Sequence, residues 1–218
     1  MGESERCSVL VVDDHPLFRK GVLQLLAMEP SIAVVGEAGD RRQALDLARR
    51  HEPDLVLLDL NLKGDSGIGV LAELKAEDPS RRVVMLTVSD SAEDLMAALR
   101  AGADGYLLKD MEPEQLLARV RAALAGETVI GEALAARLAS ALRDEARAAG
   151  APGRDLALLT ERELHVLRAL ADGLSNKAIA QKLAISDGTV KVHVKNVLKK
   201  LGFRSRVEAA VWMAQQPR

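Results

Sequence analysis

The stretches SVLVVDD (residues 8–14) and DLVLLDL (54–60) decide the fold, because each is a short, nearly continuous apolar run with aspartate at its end. Strands that are buried on both faces have this composition. Similar runs follow at residues 32–38, 82–88 and 105–109, with Leu- and Ala-rich segments of helical spacing between the strands. The alternation predicts an α/β fold, a doubly wound five-stranded parallel sheet whose crossovers are right-handed.

Charge divides the 218-residue chain into two parts, although the net charge is only −2. Residues 1–153 carry 18 Lys and Arg against 26 Asp and Glu, a net charge of −8. Residues 154–218 carry 12 against 6, a net charge of +6. This asymmetry predicts two domains with different partners, of which the basic one is a candidate for binding nucleic acid.

Composition excludes several classes of protein. Aromatic residues make up 2% of the chain, too few for the stacking platforms that bind single-stranded nucleic acid. Cys7 is the only cysteine, which excludes an internal disulfide and a cysteine-based zinc site and fits a reducing cytosol. No apolar run approaches the roughly 20 residues that span a membrane, and the polar start MGESERCS is no secretory signal. We therefore expect a cytoplasmic protein with no membrane partner.

The strand signals stop near residue 130. Residues 132–149 are Ala-rich and predict a helix, and AAGAPGRD (148–155) has the composition of a linker. Beyond it the pattern is helical only. We expect an α/β domain at residues 1–130, a helix and linker at 131–154, and an all-α domain at 155–218.

Polar side chains stand at the carboxyl ends of four predicted strands: Asp13 and Asp14, Asp59, Thr87 and Lys109. Ligands of open parallel sheets bind at this edge, where the strand order reverses. Clustered carboxylates favour a hard divalent cation such as Mg²⁺, and the same geometry suits phosphoryl transfer to an aspartate. Asp59 is the best nucleophile because it lies on the central strand. Each aspartate taken alone would more often be a solvated loop residue, but all five positions together favour a site.

The segments LVVDDHP, LLDLN, LTVSD and GADGYLLKD resemble the receiver domain of two-component response regulators. The resemblance implies a flavodoxin-like fold and a sensor histidine kinase as phosphoryl donor. It also implies roles for single residues: Asp59 as phosphoacceptor, Asp13 and Asp14 as acidic metal ligands, Thr87 as switch hydroxyl, Lys109 as phosphate contact, and Tyr106 as the aromatic whose rotamer reports phosphorylation. The alternative for Tyr106 is a half-buried ring with a solvated hydroxyl, and the other three aromatic residues are expected only to pack.

Two positions depart from the receiver pattern. Leu62-Lys63-Gly64 replaces the usual Met-Pro-Gly, so we expect a looser turn with a cation close to the metal. The backbone carbonyl of Asn61 should still coordinate Mg²⁺. Asp110 follows Lys109 where proline is frequent, which excludes a cis-proline there.

The segment at residues 174–202 has two helical patterns joined at 185–188, the spacing of a helix-turn-helix. Its second helix has an apolar stripe and, on another face, a lysine row. The stripe is Val190, Val194, Val197 and Leu201, and the row is Lys191, Lys195 and Lys199. Val192 lies beside the row and away from the core, where it can touch a thymine methyl in the major groove. A lysine row alone would more often be a solvated face, but Val192 and the +6 charge favour double-stranded DNA.

Together with LTERELHVLRALADGLSNKAIAQKL, this segment resembles the helix-turn-helix of LuxR-type transcription factors. The resemblance implies four helices, of which the third enters the groove and the last supports a homodimer on DNA. Lys191, Val192 and Lys195 are then candidate base-edge readers, and Lys199, Lys200 and Arg204 are candidate phosphate contacts. His193, off the lysine row, is expected to be a flanking residue rather than a metal ligand.

A receiver followed by a linker and a LuxR-type domain is the order of NarL-type response regulators. The stretches DDHPLFRKGVLQLLAMEP, GADGYLLKDMEPEQLL, TVKVHVKNVLKKL and SRVEAAVW are similar to the nitrate- and nitrite-responsive members. The resemblance implies a phosphorylation-activated regulator, not an enzyme, that binds promoter DNA and has RNA polymerase as a further partner. The opposite domain charges suggest that the unphosphorylated receiver covers the lysine row.

Three alternatives stay open at this point. The first is a NarL-type regulator that answers a different signal. The second is a Mg²⁺-dependent phosphatase with an aspartate nucleophile, and the third is a receiver whose helical domain binds protein or RNA.

Overall fold

The structure is a computed structural model, and it describes residues 6–130, 155–214 and 216. The predicted helix at residues 132–149 and the linker that follows it, up to residue 154, lie outside the described residues. None of the helices in the described part of the chain has the length and apolar character that crossing a membrane requires.

The first domain is a parallel sheet with helices on both faces, as predicted. The strands are β1 (Cys7–Val12), β2 (Ile32–Ala38), β3 (Leu55–Leu58), β4 (Asn61–Leu62), β5 (Asp65–Ser66), β6 (Val83–Thr87), β7 (Gly105–Leu108) and β8 (Val129–Ile130). The helices are α1 (Pro16–Ala27), α2 (Arg41–His51), α3 (Gly67–Glu77), α4 (Ala92–Arg100) and α5 (Pro113–Ala125). The main sheet has the order β2-β1-β3-β6-β7-β8 with parallel pairs, and β4 and β5 form a separate antiparallel hairpin.

Alternation along the strands divides the core into two layers. Leu10 and Val56 face a cluster that includes side chains of α2, α3 and α4. Val9 and Leu55, one position earlier in each strand, face a second cluster built with α1 and α5. Both layers are apolar because strands covered on both faces expose neither set of side chains to water. The order of strands reverses between β1 and β3, so a ligand crevice is expected at their carboxyl ends.

A sixth strand, β8, extends the predicted five-stranded sheet along β7. Gly105 makes this pairing possible, because a Cβ there would stand 2.5 Å from a methyl of Val129 and 2.7 Å from its carbonyl oxygen. Sequence patterns do not predict β8, since two residues are too short to show an alternating pattern.

The second described unit, residues 155–214, is helical. A 3₁₀ turn at Leu156–Leu158 precedes α6 (Glu161–Ala171), α7 (Asn176–Leu183), α8 (Asp187–Leu201) and α9 (Arg206–Ala214). Side chains cap these helices: Thr160 forms a capping box with Glu163, and Ser175 and Ser186 accept backbone hydrogen bonds at the starts of α7 and α8. Phe203 and Trp212 pack in its core with ring centroids 5.5 Å apart, as expected.

Candidate functional site

The predicted acidic residues converge at the carboxyl edge of the sheet. Asp13 and Asp14 follow β1 and Asp59 follows β3, so neighbouring parallel strands bring them together. Each of these residues, with His15, offers one ligand atom to a group whose members lie within 4.8 Å of one another. Asp13 and Asp59 are almost fully buried. The carboxylates therefore form one cluster rather than separate solvated loop residues.

Lys109, directly after β7, supplies the counter-charge. Its Nζ lies 2.7 Å from Asp59 Oδ2 and 2.7 Å from Asp13 Oδ2. The ring of Phe18 lies under the same ammonium group, 4.7 Å from centroid to Nζ, which is cation–π range. Phe18 thus does more than pack, and the sequence carried no signal for that role.

Electrostatics make Asp59 a desolvated carboxylate. Burial raises its pKa, and the charge of Asp13 acts in the same direction. Hydrogen bonds from Lys109 and from the backbone N–H of Asn61 oppose this rise without cancelling it. A carboxylate held away from water beside a fixed ammonium suits the attack on a phosphoryl group.

The chain after Asp59 is fixed by a close approach at Gly67, the first residue of α3. Its N–H donates to the Leu60 carbonyl at 2.7 Å, and a Cβ on Gly67 would stand 2.0 Å from the Asp59 carbonyl oxygen. Only glycine fits there. Lys63 and Gly64 form the tip of the β4–β5 hairpin, with Gly64 at φ +82°. The departure from Met-Pro-Gly therefore gives an ordered hairpin whose Lys63 side chain is exposed.

The cluster fits a divalent cation. Asp14 Oδ1 is buried, and no described donor makes a hydrogen bond to it, as expected for an oxygen reserved for a metal. Carboxylate and backbone carbonyl oxygens are the donors that Mg²⁺ prefers. His15 also belongs to the cluster, with Nδ1 2.8 Å from Asp14 Oδ1, and sequence reasoning missed it.

Thr87 and Tyr106 are linked through one residue. Thr87 ends β6, is fully buried, and its hydroxyl accepts from the N–H of Ser89 at 3.1 Å. The Tyr106 hydroxyl donates to the carbonyl of Ser89 at 3.0 Å. Burial raises the pKa of Tyr106, and its side chain is 0% exposed, so the alternative of a half-buried ring is wrong. Both side chains thus form a hydrogen bond with the backbone of the same residue, Ser89.

Helix α8 has the two faces that the sequence predicted. Val190, Val194, Val197 and Leu201 are buried in the core of the helical domain. Val192 is 57% exposed, although it is apolar. Lys191 and Lys195 are exposed, and each pairs with a carboxylate of the first domain: Lys191 Nζ is 3.1 Å from Asp54 Oδ1, and Lys195 Nζ is 3.4 Å from Asp78 Oδ2.

The three predicted phosphate contacts lie in different surroundings. Lys199 is exposed. Lys200 Nζ lies 2.6 Å from Glu163 Oε2, so it ties α8 to the capping box of α6. The Arg204 guanidinium donates to the Arg100 carbonyl at the end of α4, at 3.0 Å.

A polar seam between the two domains was not predicted. Arg206, only 7% exposed, donates to the Asn176 side chain at 3.1 Å and to the Leu174 carbonyl at 3.0 Å. Burial and, to a smaller extent, the charge of the nearby Arg82 lower the pKa of Arg206 to about 10. Gly126, which ends α5, lies against this group: a Cβ there would stand 2.7 Å from Arg206 Nη1 and 3.0 Å from Arg82 Nη2.

Comparisons with known proteins agree with both halves of the molecule. Residues 9–121 match the family model described as "Response regulator receiver domain", and residues 157–213 match "Bacterial regulatory proteins, luxR family". Together these matches cover well over half of the chain. The chain is a response regulator of the LuxR type.

Relatives extend this similarity over almost the full length. The chain is 49% identical to the nitrate/nitrite response regulator protein NarL of Escherichia coli (strain K12), over 99% of each chain. It is 50% identical to the nitrate/nitrite response regulator protein NarP of the same strain, over 99% of this chain and 98% of NarP. A solved structure of a LuxR-family two-component response regulator from Aurantimonas sp. SI85-9A1 is 32% identical, with a TM-score of 0.59, over 64% of this chain and 99% of that one.

Proposed function

We propose that this response regulator is activated by phosphorylation of Asp59, binds promoter DNA through α8, and controls genes that respond to nitrate or nitrite. One observation carries the proposal: Lys191 and Lys195 of α8 pair with Asp54 and Asp78 of the first domain, on the side of the sheet opposite Asp59. The nitrate assignment is supported by near-full-length identity of 49–50% to two nitrate/nitrite response regulators. Because its relatives are transcription regulators, we propose a cytoplasmic regulator rather than a phosphatase acting on other molecules.

A sensor histidine kinase would supply the phosphoryl group. A carboxylate oxygen of Asp59 attacks phosphorus, the bond from phosphorus to the kinase histidine nitrogen breaks, and Asp59 becomes an acyl phosphate. Asp13, Asp14, Asp59 and the Asn61 carbonyl would hold Mg²⁺, which neutralises phosphoryl oxygens when it is bound. Lys109, already between Asp13 and Asp59, is positioned to take up the charge that the phosphate adds.

The switch would run through Ser89. A phosphoryl oxygen on Asp59 offers the Thr87 hydroxyl a strong acceptor. If Thr87 turns toward it, the Ser89 N–H loses its partner and the loop between β6 and α4 moves. Tyr106 donates to that same loop, so its hydrogen bond must rearrange as well. Phosphorylation thereby biases a two-state element.

The exposed side of α8 would contact the DNA bases. We assign base-edge contacts to Lys191, Val192 and Lys195, because lysine ammonium groups bind acceptors on guanine and an apolar side chain fits the thymine methyl. Lys199, Lys200 and Arg204 would contact phosphates, which position a protein without specifying sequence. For Lys200 and Arg204 this role requires that they leave Glu163 and the Arg100 carbonyl.

Before phosphorylation, the receiver would cover the DNA-binding face of α8. Lys191 and Lys195 cannot bind bases while they pair with Asp54 and Asp78, so each inter-domain ion pair competes directly with DNA. Release would free α8 to bind promoter DNA as a homodimer and to bring RNA polymerase into contact. The pairs are exposed, and exposed pairs are each worth only about 0.2–1 kcal/mol, which a phosphorylation signal can overcome.

A footprint on promoter DNA tests the proposal, with and without acetyl phosphate, comparing wild type with Asp59→Asn. We expect protection that strengthens with acetyl phosphate in wild type only. Equal footprints in all four conditions would remove phosphorylation from the mechanism. Loss of binding by Lys191→Ala with Lys195→Ala, at unchanged helical content, would support α8 as the DNA reader, and unchanged binding would contradict it.

A further inference from the structure

His15 stands beside the carboxylates of the acidic cluster, directly before α1. Its backbone N–H donates to Asp13 Oδ1 at 2.8 Å, and Pro16 restricts the backbone that follows. The ring reaches back over the cluster: Nδ1 lies 2.8 Å from Asp14 Oδ1, 3.4 Å from Asp13 Oδ1 and 3.9 Å from Asp59 Oδ2. One imidazole nitrogen thus approaches an oxygen of each carboxylate.

The closest of these contacts lacks the geometry of a hydrogen bond. Asp14 Oδ1 is buried and accepts no hydrogen bond from any described residue, although His15 Nδ1 is only 2.8 Å away. Two ligand atoms at right angles around a cation with bonds of about 2.1 Å stand about 3.0 Å apart. The spacing of the nitrogen and the oxygen is therefore that of adjacent ligands of one metal ion.

We propose that His15 Nδ1 is an additional protein ligand of the cation held by Asp13, Asp14 and Asp59, and that it lets this site take Mn²⁺ or Co²⁺ in preference to Mg²⁺. The inference rests on the proposed metal-assisted phosphorylation of Asp59. Mg²⁺ prefers oxygen donors, whereas affinity for an imidazole nitrogen rises along the first transition series. An imidazole ligand therefore favours Mn²⁺ and Co²⁺ over Mg²⁺ more strongly than oxygen ligands alone do.

Metal titrations of the full chain, without any phosphoryl donor, test the proposal. The free Mn²⁺ signal in electron paramagnetic resonance gives the Mn²⁺ affinity, and competition gives the Mg²⁺ affinity. For His15→Ala we expect the Mn²⁺ affinity to fall at least about tenfold, since even the loss of an outer-sphere partner costs that much. The Mg²⁺ affinity should change much less. His51→Ala is the matched control, because His51 is exposed and ends α2.

Spin-echo modulation of bound Mn²⁺ detects a directly bonded nitrogen. We expect ¹⁴N modulation in wild type and His51→Ala and its absence in His15→Ala. An equal loss of Mn²⁺ and Mg²⁺ affinity in His15→Ala, or no ¹⁴N modulation in wild type, would overturn the inference. Its failure is distinct from failure of the proposed function, because phosphorylation of wild type in Mg²⁺ alone tests the latter and needs no nitrogen ligand.

Discussion

Strand β3 separates two aspartate–lysine pairs that differ in almost every physical respect. Asp59 follows the strand and lies buried 2.7 Å from Lys109 of its own domain. Asp54 precedes the strand, is partly exposed, and lies 3.1 Å from Lys191 of the other domain. The two residues are five positions apart, or about 16 Å along an extended chain. One end of the strand thus carries a buried ion pair within one domain, and the other end carries a partly exposed ion pair between the two domains.

The pKa directions express the same difference. Burial raises the pKa of Asp59, and its hydrogen bonds do not compensate. Burial also raises the pKa of Asp54, but donation from Ser8 and Lys191 outweighs it and holds the pKa below its ordinary value. The ionised form of Asp59 is thus disfavoured by its surroundings, whereas the ionised form of Asp54 is favoured.

The largest expected effect separates the two aspartates. Asp59→Asn should abolish phosphoryl incorporation from acetyl phosphate, because the amide nitrogen and oxygen cannot form the acyl phosphate. Asp54→Asn should leave incorporation within about twofold of wild type, because Asp54 lies at the far end of β3. Radiolabel incorporation measures both. If Asp54→Asn also blocks phosphorylation, the two ends of the strand are not independent.

The next effect concerns Gly126. In Gly126→Ala the new methyl would meet Arg206, Asn176 and Arg82 at 2.7–3.0 Å, and relieving such overpacking costs about 1–3 kcal/mol. We expect the contact between the two domains to weaken. The DNA affinity of the unphosphorylated chain, measured by fluorescence anisotropy, should then rise about tenfold.

Gly173→Ala controls for backbone strain. Gly173 also has positive φ, at +74°, but among the described residues no heavy atom outside its neighbours lies within 4 Å of a Cβ built there. It should lose stability without gaining DNA affinity. Equal gains in DNA affinity in the two variants would show that backbone strain, and not the polar seam between the domains, explains the effect.

Neutralising Asp54 and Asp78, the two carboxylates that pair with the lysines of α8, should have a smaller effect on DNA affinity. Asp54→Asn with Asp78→Asn removes both inter-domain carboxylate partners of the α8 lysines. It should raise the DNA affinity of the unphosphorylated chain about fivefold, given about 0.5 kcal/mol for each of the two exposed pairs. The gain should shrink as salt concentration increases, since salt already screens such pairs in wild type. Asp46→Asn removes a similar exposed charge whose partner Arg49 is on the same helix, and it should leave the affinity unchanged.

The smallest effect is on the titration of Asp54. Lys191→Gln should raise the pKa of Asp54 while the Ser8 hydrogen bonds still lower it, as carboxyl ¹³C NMR would show. Because the folded pKa is below the ordinary 3.8, ionised Asp54 stabilises the fold above that pH and loses this contribution as pH falls through the folded value. An Asp54 pKa that is identical in wild type and variant would mean that Lys191 does not contact it in solution.

Sequence patterns predicted the residues at the carboxyl edge of the sheet better than those at the opposite edge. Asp13, Asp59, Thr87 and Lys109 were found because parallel strands place their carboxyl ends together, so position on a strand implies position in space. The stripe of α8 was found because helical periodicity fixes which side chains share a face. Asp54, Gly126 and Arg206 were missed because no local pattern marks them: they meet only when two separately folded domains dock. His15 and Phe18 were missed for a related reason, since their roles depend on which way a side chain turns at the start of α1.

The most direct measurement of the central claim compares the gain in DNA affinity on phosphorylation in two proteins. Wild type and the variant with Asp54→Asn, Asp78→Asn and Gly126→Ala would be titrated with the same promoter duplex, each with and without acetyl phosphate, and equal phosphoryl incorporation would be verified. If phosphorylation at one edge acts by releasing α8 at the other, the DNA affinity of wild type should increase strongly on phosphorylation. The DNA affinity of the variant should increase little, because its α8 is already released from the receiver. An equal gain in both proteins would contradict the account.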